Sequence, residues 1–211
     1  MSDLPMALPP DLAAALGRAL DCERKIDRAL EALGPVAGRE VVVVGGGVEE
    51  TRRLEAAGAR LTGVASFAAG AAADLPAASA DAIVCAWSGF RGFDPDEVAA
   101  ADRVLRPGGR LLVVQDYGRD DVSRLRGDLP EYGAWSRRDG PYLANGFRMR
   151  VIHCFWTFAT IEAAQAFLGA AFGPDGEALG AGLKRPRLSY NVAVYHRTRG
   201  GIAAESAGSA A

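Results

Sequence analysis

Hydrophobic positions recur along this chain with two periods. Leu12, Leu16, Leu20, Ile26, Leu30 and Leu33 fall at helical intervals and predict one helix over residues 11–33, stopped by Gly34-Pro35. Glu40 is followed by Val41-Val42-Val43-Val44, a β-branched run that suits a strand buried on both faces of a parallel sheet. Gly45-Gly46-Gly47 comes next, then a helical stretch over 48–57 closed by Gly58, and a second strand over 59–65. Strand, glycine turn, helix, strand is a βαβ unit. Residues 81–87 read as another buried strand. Asp94-Pro95-Asp96-Glu97 supplies an N-cap Asp, Pro at the first helical position and Glu at the third, opening a helix to about Leu105. A turn at Arg106-Pro107-Gly108-Gly109 leads into a strand over 110–115. Residues 116–130 are polar and turn-prone, 130–144 predict a helix, 147–158 a long strand, 160–172 a helix and 188–197 a last strand. The alternation indicates one α/β domain over 36–198, preceded by a helical segment (1–35) and followed by a small-residue tail (199–211).

Composition narrows the classes of function. The formal charge is −2, so no global basic field exists to hold nucleic acid or an anionic membrane. All but two of the 24 basic residues are arginine, which with abundant Ala and Gly reads as codon bias. Cys22, Cys85 and Cys154 are far apart and form no zinc spacing, so we expect no metal and three buried free thiols in a reducing cytosol. Neither a signal peptide nor an 18-residue apolar run is visible, and the expectation is a cytoplasmic protein.

Three segments, in order, resemble the class I S-adenosylmethionine-dependent methyltransferases: Val41 to Gly47; Leu75-Pro76 followed by Asp81-Ala82-Ile83-Val84; and Arg103-Val104-Leu105-Arg106-Pro107-Gly108-Gly109 before a hydrophobic strand. The last is typical of the small-molecule, type 11-like branch. The resemblance implies a doubly wound, Rossmann-like methyltransferase fold with a mostly parallel sheet and an antiparallel C-terminal strand. It also implies S-adenosylmethionine as cofactor, contacted by Gly45, Gly46, Gly47, Glu49, Ala65, Leu75 and Trp87, and an N-terminal helix that lids the substrate site.

The chain departs from the family pattern at four places. Val43 stands where the first strand usually carries an acid. Glu49 takes the third glycine position. Ala65 replaces the acid that takes both ribose hydroxyls, and Ala71 stands where an acid precedes the Leu-Pro. Ala65 and Leu75 are ten positions apart, too few for a helix and a full strand. We therefore expect the sheet to be shortened after its second strand, with no full helix–strand pair between Ala65 and Asp81. A dinucleotide fits no better: position 50 of a GxGxxG is Glu, no ribose acid lies about 20 residues on, and two glutamates would face a pyrophosphate at the helix start. NAD and FAD are poor candidates for that reason.

Further candidates sit at strand ends, the edge where open α/β sheets bind ligands. Trp87, Ser88 and Arg91, with Tyr117 at the end of the next strand, could line a substrate pocket, or Trp87 packs in the core and Arg91 is solvated. Asp116, with Tyr117 beside it, is a general base or a loop-capping carboxylate. His153 shares a strand face with Phe155 and Thr157 and is a base or a structural histidine; His196, near the chain end, is a weaker candidate. Glu23 and Asp27 lie on one helix face. Two functions remain open: methyl transfer to a small molecule, or a catalytically inactive, methyltransferase-like binding or partner subunit. A bared sheet edge is usually paired or covered, so region 59–80 is expected to meet a second copy or another subunit.

Overall fold

A computed structural model describes residues 4–127 and 129–200. The tail beyond Gly200 lies outside the described residues. Six strands form one sheet in the order β2-β1-β3-β4-β6-β5. They are β1 (Glu40–Val44), β2 (Arg60–Val64), β3 (Ala80–Ala86), β4 (Leu105–Asp116), β5 (Arg148–Thr157) and β6 (Arg187–Thr198). The first four are mutually parallel, and β6 runs antiparallel to both β4 and β5. The valine run behaves as its composition requires: Val41 to Val44 are all buried, Val41 and Val43 in one core and Val42 and Val44 in the other.

One sheet face carries the helices α1 (Pro10–Ala19), α2 (Lys25–Leu33), α3 (Val48–Ala56), α5 (Asp121–Arg126) and α6 (Ile161–Ala181). The other carries α4 (Pro95–Val104) and the loops over residues 66–79 and 130–147. Between β2 and β3 there is only a 3-10 turn, Ala68–Gly70, so the expected shortening of the sheet holds. Arg103 of α4 clamps this connection, donating to the carbonyls of Ala72 (2.8 Å) and Leu75 (2.7 Å). Beyond β2 no further strand pairs among the described residues, and its Arg60, Thr62 and Gly63 are exposed.

Four sequence expectations need correction. The helix expected over 11–33 is two helices joined by an elbow, in which Asp21 (φ 49°) and Arg24 (φ 54°) take the left-handed conformation. The elbow docks on the outer edge of β5: Leu20 bridges Trp156, and the Asp21 amide donates to the Phe155 carbonyl at 3.1 Å. The Asp21 carboxylate then caps α2, accepting from the amides of Lys25 (3.0 Å) and Ile26 (2.7 Å). No helix forms over 130–144, where Gly133 turns with φ 86° and a Cβ on Gly140 would fall 2.5 Å from the Ala134 carbonyl oxygen. Instead α5 forms within the stretch read as polar turns, through a capping box between Asp120 and Ser123. Finally, α6 does not stop at Phe172. Gly173 (φ 59°) breaks it, and its second arm folds back on the first, with Gln165 Nε2 donating to the Gly180 carbonyl at 3.1 Å.

That hairpin depends on one close approach. A Cβ on Gly176 would lie 2.0 Å from the Leu168 carbonyl oxygen, whereas nothing lies within 4 Å of one on Gly63 in β2. Gly176→Ala is expected to cost about 1–3 kcal/mol in denaturant unfolding, as overpacking does. Gly63→Ala, which has room, is expected to be neutral or stabilising by up to about 1 kcal/mol. Equal effects of the two would contradict this packing.

Candidate functional site

β1 is flanked by β2 on one side and β3 on the other, so the chain reverses its direction of winding between β1 and β3. Crevices outside the strand ends at such a switch point are where open α/β sheets take ligands. The glycine turn stands there. Gly45 has φ 60°, its amide donates to the Val64 carbonyl at 2.7 Å, and a Cβ would fall 2.7 Å from Ser88 Cβ. Ser88 Oγ donates in turn to the Val44 carbonyl. At Gly46 a Cβ would meet Val43 Cγ1 at 2.3 Å. Gly45 and Gly46 are thus demanded by the chain's own packing, and Ser88 bridges the ends of β1 and β3 instead of lining an open crevice.

The ground beside it is also filled. Phe67, after β2, and Phe90, after β3, are both buried with ring centroids 5.8 Å apart. Ala65 is exposed and offers no side-chain acceptor. Leu75 is half-buried against the same core, held by the Arg103 clamp on its carbonyl. Glu49 opens α3 two positions after Gly47.

Access to the switch point comes from the other face. A cleft of about 1210 Å3 runs between α1–α2 and α3 and reaches Gly47, Ala86 and Trp87. Its floor is apolar and buried: Ile26, Leu30, Val36, Leu54 and Ala86. Of its charged lining residues, Arg18, Arg24, Arg28, Arg53 and Glu31 are exposed, Asp27 is half-buried, and Asp21 and Glu50 are buried. Glu50 brings a carboxylate to the glycine turn from α3, its Oε2 lying 3.4 Å from where a Gly46 Cβ would be. The sequence signal for Glu50 was an acid one turn into the helix after the glycines. It could be seen as hostile to phosphate, but not as a buried cleft residue.

Trp87 is held at the cleft by a buried polar hub. It adopts φ 53°, a left-handed conformation that a non-glycine residue holds only under constraint. Its Nε1 donates to Asp116 Oδ1 at 3.1 Å. The Tyr190 hydroxyl donates to the same oxygen, and Arg126 pairs with Oδ2 while giving a second bond to the Pro5 carbonyl at 2.7 Å. Burial pushes the Asp116 carboxyl above its ordinary range, against the pull of Arg126 and the Tyr190 and Trp87 donors. Both oxygens accept from these side chains, so Asp116 holds Trp87, Arg126 and Tyr190 together at the end of β4. Arg126 and Tyr190, from α5 and β6, carried no sequence signal because only folding brings them to the end of β4.

The remaining candidates lie elsewhere. His153 is exposed on β5, and its Nδ1 lies 2.8 Å from Asn191 Oδ1. Because Asn191 Nδ2 donates to the Gly118 and Arg119 carbonyls, its oxygen accepts and His153 Nδ1 donates, a structural pairing away from the cleft. Arg91 pairs with the buried Glu131 and lies over the Trp135 ring at 5.7 Å. Tyr117 is half-buried, under the Arg119 guanidinium at 5.8 Å. His196 sits in β6, where burial and three arginines lower its pKa. Cys85 and Cys154 are buried thiols pushed up to about 12, but Cys22 is exposed at the cleft, contrary to expectation. Among the described residues no group of His, Cys, Asp or Glu could hold a metal ion, and no helix is long and apolar enough to cross a membrane.

No protein-family model matches the chain, and no curated protein does. Solved structures do. A candidate type II methyltransferase from Anaeromyxobacter dehalogenans superposes with a TM-score of 0.51 at 19% identity, over 83% of this chain and 96% of that one. The chain has the methyltransferase fold. A S-adenosylmethionine-dependent methyltransferase from Aquifex aeolicus (TM-score 0.45, 15% identity, 89% of this chain and 98% of that one) and a candidate methyltransferase from Bacillus halodurans C-125 (0.46, 15%, 82% and 97%) are also similar.

S-adenosylmethionine, the cofactor this fold implies, does not fit the residues present. The ribose position is Ala65, Ser88 closes the crevice beside Gly45, and the wall between β2 and β3 is reduced to one 3-10 turn against Phe67 and Phe90. The Asp116 hub is instead architectural. Asp116→Asn leaves the Arg126 guanidinium, whose side chain is 12% exposed, without its counter-charge and is expected to cost about 3–5 kcal/mol in denaturant unfolding. Arg126→Met added to it is expected to recover most of that loss. A double variant no more stable than Asp116→Asn alone would refute the pairing.

Proposed function

We propose that the protein is a methyltransferase-like binding protein, a pseudoenzyme that takes a small molecule into the cleft between α1–α2 and α3 and lacks a working S-adenosylmethionine site. The observation that carries this reading is Ser88. It packs where a Gly45 side chain would go and bonds to the Val44 carbonyl, tying the ends of β1 and β3 together, while the cleft beside α1, α2 and α3 stays open to Gly47 and Trp87. A cleft with an apolar floor and a few convergent polar groups is the usual form of a small-molecule site.

A second reading, methyl transfer to a small molecule, draws on the same cleft, since it reaches the switch point where the fold offers a place for a donor. Titration calorimetry separates the two. A charged acceptor for two ribose hydroxyls is worth roughly 1.5–3 kcal/mol per bond. Without it, no saturable heat is expected with S-adenosylmethionine or S-adenosylhomocysteine up to about 1 mM. Ala65→Asp alone is expected to leave this unchanged, because the acid would have no pocket to serve. Micromolar binding by the native chain would overturn the proposal in favour of methyl transfer.

A further inference from the structure

We propose that the exposed edge of β2 pairs with the β2 edge of a second copy of this chain, antiparallel about a two-fold axis at Thr62, so that the two sheets become one. The two edges of the sheet are treated differently. At the β5 edge the elbow covers one end, where Leu20 bridges Trp156 and the Asp21 amide donates to the Phe155 carbonyl. Arg148 and Arg150 stand exposed along the rest of that strand, and such charges blunt an edge. β2 has neither device. It holds no proline and no bulge, its register with β1 running unbroken from Arg60 to Val64. Its one charge, Arg60, is turned to Glu40 of β1 in an ion pair.

The hydrogen bonding of β2 selects the register. The Arg60 amide donates to the Arg39 carbonyl and the Val64 carbonyl accepts from the Gly45 amide, both on the β1 side. Main-chain groups alternate in direction from one residue of a strand to the next. Arg60, Thr62 and Val64 therefore face β1, and the amides and carbonyls of Leu61 and Gly63 face outward, where no partner meets them among the described residues. A two-fold through Thr62 sets Leu61 of one copy opposite Gly63 of the other. Both present outward groups, so the pair exchanges both N–H···O bonds, and the axis repeats it.

The side chains agree with this register. Arg60 comes opposite Val64 of the second copy, and Thr62 opposite Thr62, a favourable cross-strand pair. No like charges face each other across the strands. On the same face as the cleft, α2 lies toward β4 and β5, and α3 lies over β2. α3 turns Glu50, Arg53 and Leu54 to the cleft and Arg52 and Glu55 to its opposite flank, on the outer side of the sheet. The two-fold reverses their order, so Arg52 of each copy approaches Glu55 of the other. The edge is thus complementary to itself, as an isologous dimer requires.

Sedimentation equilibrium on the full chain tests this. The native chain is expected to show a reversible monomer–dimer equilibrium. Gly63→Pro removes an outward N–H and no bond to β1, so it is expected to fold and to sediment as a monomer. Thr62 is exposed and faces itself only in this register. Thr62→Lys and Thr62→Glu are each expected to weaken association about tenfold, because each sets like charges on the axis. Mixing the two is expected to restore a dimer with one copy of each. Because these variants change an exposed side chain, a Gly63→Pro chain that fails to fold leaves the test intact. A native chain that stays monomeric at millimolar concentration would overturn the proposal. So would a dimer that neither charge variant weakens, or a mixture no more associated than its components.

Discussion

The buried carboxylate of Asp116 is the constraint on which the upper half of the molecule depends. It ends β4, and its two oxygens gather side chains from three other parts of the chain: Trp87 after β3, Arg126 of α5 and Tyr190 of β6. Arg126 then carries the link to the Pro5 carbonyl, and so brings the N-terminal segment, with Leu4 in the cleft lining, over the strand ends. A desolvated carboxylate is expensive unless it is well hydrogen-bonded, and here one of its donors, Trp87, lines the cleft while another, Arg126, holds the segment at Pro5. One acid thus fixes the indole at the cleft, the start of the chain and the junction of the parallel and antiparallel parts of the sheet.

The two faces of the sheet are packed differently at the switch point. On the α4 side, a short connection between β2 and β3 packs onto the sheet through Phe67, Ala72 and Phe90, clamped by Arg103. Ser88 seals the seam against Gly45. On the α1–α3 side, residues of the elbow, Leu20, Asp21, Cys22 and Arg24, line the cleft. The elbow's two left-handed residues are stabilised by the Asp21 cap and by docking on β5. The cavity at the switch point thus lies on the face that carries α1, α2 and α3.

Much of this was legible in the sequence wherever a local pattern sufficed. The valine run of β1, the Asp94-Pro95 start of α4 and the ten-residue gap after Ala65 fixed the sheet and its shortened edge, because burial, capping and chain length are local constraints. The elbow was not legible. Leu16, Leu20 and Ile26 continue one apolar face, and only the β5 edge, far away in sequence, breaks the helix between them. The site was legible in place but not in role. Gly45, Trp87 and Asp116 were read at the correct strand ends, yet whether Ser88 opens or closes a crevice, or whether Asp116 is free or committed, depends on partners such as Val44, Arg126 and Tyr190 that no spacing reveals. Glu50 is a cleft residue because folding brings α3 opposite α2, which no spacing reveals.

The closure at Ser88, Phe67 and Phe90 is tested most directly by amide hydrogen exchange over residues 41–47, 64–75 and 85–92, with and without saturating S-adenosylhomocysteine. These segments are already packed against one another, so their protection is expected to be the same in both samples. Ligand-dependent protection of the glycine turn together with the segment after β2 would show that a nucleoside enters between them, and would contradict the closure.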